Sequence, residues 1–238
     1  MIKSLSVVFP MYNEANRLFR TFIDIEKFKK MNFIKDIEYI FVDDGSNDDS
    51  IKKVNDFFKN KKIFNYRVVK IKANTGKGNA LKKGILKAKK DWILTLDADI
   101  SVSLLQIKKW VNQKLIDNKN DVYFGSRNLK NSEIEFKFHR KILGIIFSFL
   151  LNILFNIDIK DTQCGFKLYP KKVAKKIFKN IFTFNFAHDI EILTKLNKKK
   201  IKVIELPVRW KHFNQSKVNI ITDSLKMIFS IYKIKNKL

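Results

Sequence analysis

The first part of the chain alternates short apolar runs with segments of helical pattern. The apolar runs are residues 5–9, which stop at Pro10, and residues 38–42, 66–71 and 92–96. The helical patterns cover residues 13–30, 49–60 and 79–89, and each opens with a residue that can cap a helix. Strands that alternate with helices are typical of parallel βαβ units with right-handed crossovers. The pattern predicts an α/β fold, with a mainly parallel central sheet flanked by helices.

Polar clusters follow these apolar runs. Their sequences are MYNE, DDGSNDDS, NTGKGNA and DAD, in chain order. Ligands of an open parallel sheet bind beyond the carboxyl ends of its strands, so we expect the acids of these clusters to meet at one edge. These acids are Glu14, Asp43, Asp44, Asp97 and Asp99. Neighbouring carboxylates repel each other, and hard oxygen ligands spaced D-x-D suit Mg²⁺ or Mn²⁺. Asp97 and Asp99 are therefore predicted to hold a divalent metal that carries a diphosphate.

Lys77 lies between two glycines in the loop sequence NTGKGN. The spacing is not that of the nucleotide-binding P-loop. Two glycines before a helix start still fit a loop that approaches a phosphate, and a plain turn is the alternative.

The composition is strongly basic, with 49 Lys and Arg against 23 Asp and Glu. This excess favours nucleic acid, anionic lipid or phosphorylated substrates as partners, although joint over-use of Lys, Ile, Asn and Phe also fits codon bias. The single cysteine, Cys164, excludes an internal disulfide and is expected to pack. No signal peptide is visible at the start, so the active part is expected in the cytoplasm.

Two later segments have amphipathic patterns. Residues 142–157 would span roughly 24 Å as a helix, which is less than the roughly 30 Å of a bilayer core. Residues 219–238 are basic on one side, and Ile221, Leu225, Ile228, Phe229 and Tyr232 lie on the other. We expect both segments to be membrane-associating helices at a bilayer interface. The alternative for the second segment is a surface helix docked on the sheet.

The motifs MYNE, FVDDGSNDDS, NTGKGNALKKG, LDADIS and FGSR, in this order, resemble those of the family 2 glycosyltransferases, which have the GT-A nucleotide-sugar-binding fold. The resemblance covers nearly the whole chain and implies a single domain, 1–238. Residues 1–130 would form the nucleotide-sugar-binding half, and residues 131–238 the acceptor and membrane-interface half.

The later motifs KDTQCGFKLYPKKVA, FAHDIEIL, ELPVRW and SK resemble the branch that makes dolichyl-phosphate glucose. The mannose branch differs at DTQCGFK and carries a glutamine where this chain has Ser101. The resemblance therefore favours glucose, from UDP-glucose, over mannose from GDP-mannose. An N-terminal anchor of the eukaryotic glucose branch is not seen, so membrane contact is expected from the two later segments.

The resemblance also implies roles for individual residues. Donor binding is implied for Pro10, Tyr12, Glu14, Asp43, Asp44, Lys77, Asp97 and Ala98, with Mg²⁺ or Mn²⁺ on Asp97 and Asp99. Arg127 would meet the donor or acceptor phosphate, and Arg140 and Lys217 match basic positions used for the lipid phosphate. Asp99, Arg127 and Asp189 are the expected catalytic residues.

The predicted reaction is an inverting displacement, in which an oxygen of a polyprenyl (dolichyl or undecaprenyl) phosphate attacks the anomeric carbon of a nucleotide sugar. This acceptor is already largely ionised at neutral pH and scarcely needs a base. A glycan hydroxyl is the alternative acceptor and would need one, with Asp189 and then Asp161 as candidates. For both acids the alternative is a structural hydrogen bond.

Other functions are less well supported by the sequence. A basic nucleic-acid-binding module is disfavoured, because no such motif is present and the predicted cleft is acidic. The intact Asp97 and Asp99 argue against an inactive scaffold. The histidines, among them His188, lack metal-ligand spacing and are expected to have structural roles. The expected location is peripheral, on the cytoplasmic face of a membrane, and the sequence leaves the oligomeric state open.

Overall fold

A computed structural model of the chain describes residues 2–134, 152–185, 187–211 and 220–238, with residues 220–228 described by backbone alone. The strands are β1 Ser4–Met11, β2 Asp36–Asp43, β3 Tyr66–Lys70, β4 Trp92–Thr95, β5 Val122–Ser126, β6 Glu133–Ile134, β7 Lys167–Pro170, β8 Val203–Pro207 and β9 Arg209–Trp210. The helices are α1 Leu18–Lys30, α2 Ser50–Asn60, α3 Lys77–Lys87, α4 Gln106–Asn112, α5 Lys171–Phe178, α6 His188–Lys198 and α7 Ile220–Lys237. The four predicted strands and three predicted helices are all present.

Seven strands form the central sheet, in the order β3-β2-β1-β4-β7-β5-β8. Neighbouring strands are parallel except where β7 runs antiparallel to both β4 and β5. The first residue of β7, Lys167, therefore pairs with Thr95 of β4 and Phe124 of β5, near the carboxyl ends of those strands. A mainly parallel sheet flanked by helices confirms the predicted fold class, and the antiparallel β7 brings the DTQCGFK motif to the ligand-binding edge.

The core lies on both faces of this sheet, because alternate residues of the central strands point to opposite sides. Leu5, Val7 and Phe9 of β1 belong to one buried cluster, which also contains residues of α1 and α2. Val8 lies in a second cluster with residues of α3, α5 and α6. Burial on both faces explains why the strands read as nearly continuous apolar runs.

Several predicted boundaries are wrong. α1 begins at Leu18 rather than at Asn13, whose φ of 53° is left-handed and whose side-chain oxygen accepts a hydrogen bond from the amide of Asn47. Pro10 does not stop β1, which continues to Met11. Pairing of β1 with β4 ends at Val8, so the missing N–H of Pro10 costs no ladder bond on that side.

The last turns of α7 dock on the domain. Ile234 is fully buried and packs with Ala187 and Ile190, and the side-chain amide of Asn185 donates to Oγ of Ser230 at 2.8 Å. Phe229 and Tyr232 point away and are 75% and 70% exposed. The helix is thus docked, but on α6 and the residues that precede it rather than on the sheet, which the alternative interpretation expected. Its exposed aromatic residues lie on another side of the helix.

Of the other amphipathic segment, residues 142–151 lie outside the described residues, and residues 152–155 are helical. Within the described parts of the chain, we find no helix with the length and apolar character needed to cross a bilayer. Membrane association of either segment stays a prediction.

Candidate active site

A cleft opens at the carboxyl edge of the sheet, where β1 and β4 end and β7 begins. The fold brings several predicted site residues to it from distant parts of the chain. Its lining includes Pro10, Lys77, Asp97, Lys167, His188 and Asp189. The cleft is therefore lined by charges of both signs, not by acids alone.

Lys77 and Asp97 form an ion pair in this cleft. Nζ of Lys77, the first residue of α3, lies 2.5 Å from Oδ1 of Asp97, and both side chains are partly exposed. Burial lowers the pKa of Lys77, but the charges of Asp97, Asp189 and Asp99 outweigh it and hold that pKa above its ordinary value. Lys77 therefore stays an ammonium group, and it neutralises the first acid of the DAD motif.

Asp99 has different neighbours. Its Oδ1 accepts hydrogen bonds from the amide and the hydroxyl of Ser101, each at 2.9 Å. Its Oδ2 lies 4.0 Å from a guanidinium nitrogen of Arg17, which forms a forked ion pair with Glu14. The sequence reasoning missed Arg17, although an acid and a base three residues apart signal such a pair. Glu14 is thus linked to the DAD motif through Arg17.

The backbone of the DAD motif is tied to α1. The hydroxyl of Thr21 donates to the carbonyl of Ala98, and Asp24 accepts from the hydroxyl of Ser103 and the amide of Leu104. These bonds fix the path of residues 98–104 across the cleft edge. The side chains of Asp97 and Asp99 are therefore carried on a braced loop.

The acids Asp43 and Asp44 are both buried but have different contacts. Asp44 accepts hydrogen bonds from the amide and hydroxyl of Thr75 and from the amide of Gly76, so it holds the loop that carries Lys77. Asp43 accepts from the amide of Ser46 through Oδ2, and its Oδ1 has no hydrogen-bond partner in the part of the chain that the structure describes. Asp43 thus keeps an acceptor that a ligand could use.

Arg127 and Asp161 form a second ion pair. Asp161 accepts from Nε and the terminal nitrogen of Arg127 at 2.7 and 2.8 Å, and from its backbone amide at 2.8 Å. The guanidinium carbon lies 5.9 Å from the ring centre of Trp210. Burial raises the pKa of Asp161, but the hydrogen bonds and charge of Arg127 hold it below its ordinary value. Asp161 is therefore a weak base.

A third ion pair, between Lys167 and Asp189, is buried below the surface of the cleft. Lys167 donates to Oδ1 of Asp189 and to the carbonyl of Thr162, and Nε2 of His188 lies 3.2 Å from the same Asp189 oxygen. Burial raises the pKa of Asp189, but its interaction with His188 and the charges of Lys167 and Lys77 bring it below its ordinary value. The sequence reasoning missed Lys167, because nothing in one sequence says that β7 is antiparallel and starts at the cleft.

The DTQCGFK motif connects these pairs. Asp161 contacts Arg127, Lys167 contacts Asp189, and Gly165 packs against Asp97, where a Cβ atom would lie 2.2 Å from Oδ2. Cys164 packs in the core as expected, and burial raises the pKa of its thiol to about 12, which makes it unreactive.

Other predicted site residues lie elsewhere. Tyr12 is half-buried one residue beyond β1. Arg140 and Lys217, predicted for the acceptor phosphate, lie outside the described residues. Among the described residues, no three His, Cys, Asp or Glu side chains form a group that could hold a metal ion. Asp97 and Asp99 still fit Mg²⁺ or Mn²⁺, which binds through one or two carboxylates and completes its ligands with waters and substrate phosphates.

Comparison with known proteins identifies the family of the chain. The model of glycosyl transferase family 2 matches residues 6–178. A dolichyl-phosphate beta-glucosyltransferase of Dictyostelium discoideum is 34% identical over 240 residues, covering 97% of this chain and 73% of that protein. The enzyme of the same name from Saccharomyces cerevisiae is 33% identical, covering 94% and 71%. The human one is 32% identical, covering 91% and 70%.

Among solved structures, glucosyl-3-phosphoglycerate synthase from Mycobacterium tuberculosis in complex with Mn²⁺, UDP-glucose and phosphoglyceric acid superposes with a TM-score of 0.70. The match has 18% identity and covers 98% of this chain and 80% of that one. A likeness at this identity shows the fold alone, and it confirms the expected GT-A fold. The family match and the relatives at 32–34% identity establish that this chain belongs to glycosyl transferase family 2.

Proposed function

We propose that this chain transfers glucose from UDP-glucose to the phosphate of a polyprenol such as dolichol, with inversion at the anomeric carbon. The names of the relatives at 30–34% identity support the sugar and the acceptor. The UDP-glucose in a structure of the same fold supports the donor. The chain spans about 70% of the length of these relatives.

The observation that carries the acceptor class is that both candidate bases are engaged in ion pairs. Asp189 is paired with Lys167 and Asp161 with Arg127, and both carboxylates have pKa values below their ordinary range. A sugar hydroxyl needs a base of higher pKa to take its proton. A phosphate monoester has a second pKa of about 6 and arrives ionised. The site therefore suits a phosphate acceptor better than a hydroxyl.

In this mechanism the residues of the chain bind and orient. Asp43 offers its unpartnered Oδ1 to a donor N–H of the nucleoside, while Asp44 keeps the Lys77 loop in place. Asp97 and Asp99 would hold Mg²⁺ or Mn²⁺, which, when bound, neutralises charge on the departing diphosphate. An acceptor oxygen forms the new bond to the anomeric carbon as the bond to the diphosphate breaks. Arg127, paired with Asp161 and next to the ring of Trp210, would bind the donor or acceptor phosphate.

The membrane surface is the third part of the proposal. Phe229 and Tyr232 are exposed on α7, and the same helix carries the exposed Lys233, Lys235 and Lys237, of which Lys233 and Lys237 lie over the ring of Phe182. A helix with exposed aromatic and basic residues suits contact with an anionic bilayer, where a polyprenyl phosphate resides. We propose a peripheral location on the cytoplasmic face of that membrane.

The test is a matrix of donors and acceptors. Purified protein is incubated with UDP-glucose, GDP-mannose or other nucleotide sugars, and with polyprenyl phosphate or a water-soluble sugar, in Mg²⁺ or Mn²⁺ and then with chelator. We expect a glycolipid from UDP-glucose and polyprenyl phosphate, and no product with chelator. Glycosylation of the soluble sugar without use of polyprenyl phosphate would contradict the acceptor.

A further inference from the structure

The ion pair between Lys77 and Asp97 lies where the proposed function needs a divalent cation. Nζ of Lys77 is 2.5 Å from Oδ1 of Asp97, and Gly165 packs against the same carboxylate. A Lys ammonium and a divalent cation are both hard cations that bind carboxylate oxygen. The two therefore compete for the first acid of the DAD motif.

The backbone around Lys77 is fixed. The amide of Gly78 donates to the carbonyl of Phe184 at 2.8 Å, and a Cβ atom on Gly76 would lie 2.4 Å from that same oxygen. Asp44 holds the amides of Thr75 and Gly76. Displacement of the ammonium group from Asp97 is thus a rotation of the Lys77 side chain and needs no movement of the loop.

A displaced ammonium group would remain next to the ligand. Lys77 begins α3, and the start of a helix favours the negative charge of a phosphate. The side chain is partly exposed and lines the cleft, so the diphosphate of a bound nucleotide would offer it a new partner of opposite charge. By rotation of its side chain, Lys77 would exchange the carboxylate of Asp97 for a phosphate of the nucleotide.

We propose that Lys77 acts as an exchangeable counter-ion: without donor it neutralises Asp97 and weakens divalent-cation binding, and with donor it pairs with the diphosphate and leaves Asp97 to the cation. This inference rests on the proposed function and adds to it a coupling between binding of the donor and binding of the cation. The free protein binds the cation weakly, and the nucleoside diphosphate and the cation then bind with positive coupling, each raising the affinity for the other.

The test is to titrate the intact protein with Mn²⁺, with and without UDP. Electron paramagnetic resonance of Mn²⁺ or calorimetry measures the Mn²⁺ affinity in each titration. Lys77→Met removes the charge and keeps the length of the side chain. We expect it to bind Mn²⁺ without UDP roughly twofold to fivefold more tightly than the unaltered protein, the size expected from loss of a partly exposed ion pair. In the same variant the UDP-dependent gain in Mn²⁺ affinity should be smaller by the same factor, and the gain that remains comes from diphosphate oxygens that bind the ion directly.

Three controls sharpen the result. Lys83→Met removes an exposed charge from the same helix and should leave both titrations unchanged. Lys77→Arg keeps the charge and should restore weak binding in the free protein. Asp97→Asn should abolish the tight Mn²⁺ binding of the Lys77→Met variant when both changes are combined.

Equal or weaker Mn²⁺ binding by Lys77→Met, or the same gain in Lys83→Met, would overturn the inference. The inference would also be overturned if Asp97→Asn left Mn²⁺ binding unchanged in every variant. These titrations contain no sugar and no acceptor, so their failure leaves the donor and acceptor assay to decide the proposed function separately.

Discussion

Gly165 lies directly against the carboxylate of Asp97, so closely that a Cβ atom would fall 2.2 Å from Oδ2 and 2.5 Å from Cγ. The position excludes any side chain unless Asp97 moves. A residue of the DTQCGFK motif thereby fixes the first acid of the DAD motif, although the two are far apart in the sequence.

We expect Gly165→Ala to push Asp97 away from its position and lower kcat/KM on the order of a hundredfold, since small misplacements at a reacting centre have effects of that size. Lys172→Ala, at an exposed residue of α5, is the control and should retain activity. Steady-state kinetics with a thermal melt of each variant separates loss of activity from loss of fold. Wild-type kinetics in Gly165→Ala would refute the role given to the close contact.

The ion pair of Asp161 with Arg127 predicts a pH-dependent stability. The pKa of Asp161 is lowered in the folded state, so its stabilisation is complete above the unfolded value of about 3.9 and is lost as the pH falls through the lower folded value. Asp161→Asn should lower the free energy of unfolding by about 2–3 kcal/mol at pH 7, less than for a fully buried pair because Arg127 is partly exposed.

Urea unfolding between pH 7 and pH 3 checks this prediction. The difference between the unaltered protein and Asp161→Asn should shrink below about pH 4, where the carboxylate of the unfolded chain becomes protonated. A difference that stays constant over this range would contradict an electrostatic origin.

The engaged state of Asp189 predicts the pH profile of the reaction. With a polyprenyl phosphate acceptor, kcat/KM should rise through about pH 6, the second pKa of the acceptor phosphate, rather than through a carboxylate of the protein. The pH profile of Asp189→Asn should keep this inflection. The variant should be less stable, because it leaves Lys167 buried without its carboxylate partner. Disappearance of the inflection in that variant would restore Asp189 as a general base.

The exposed aromatic residues of α7 predict how the protein meets a membrane. Phe229→Ser with Tyr232→Ser should weaken binding to anionic vesicles by about tenfold or more, since burial of each side chain contributes roughly 1–3 kcal/mol. Ile234 would still dock the helix on the domain, so the fold should persist. Co-sedimentation measures the binding, and Phe64→Ser, at a residue 86% exposed elsewhere, is the control. Equal loss in both variants would count against α7 as the contact.

The sequence alone predicted the α/β class, the first four strands, the DAD motif at a strand end and the family. The class, the strands and the position of the motif could be predicted because apolar periodicity and the spacing of polar clusters are local properties of the chain. The family followed from the resemblance of its motifs to those of family 2 glycosyltransferases. It could not predict which cation each acid meets. Lys77 with Asp97 and Lys167 with Asp189 depend on the order of strands in the sheet and on the antiparallel direction of β7.

The tertiary structure therefore decided the chemistry of the acids. The sequence indicated a cluster of unpaired carboxylates. The fold pairs Asp161 with Arg127 and Asp189 with Lys167 because β7 delivers the DTQCGFK motif to the edge where β4 and β5 end, and it pairs Asp97 with Lys77 at the start of α3. Pairing lowers the basicity of Asp161 and Asp189 and gives Asp97 a resident counter-ion. These long-range contacts arise from packing of the sheet, which no local pattern records.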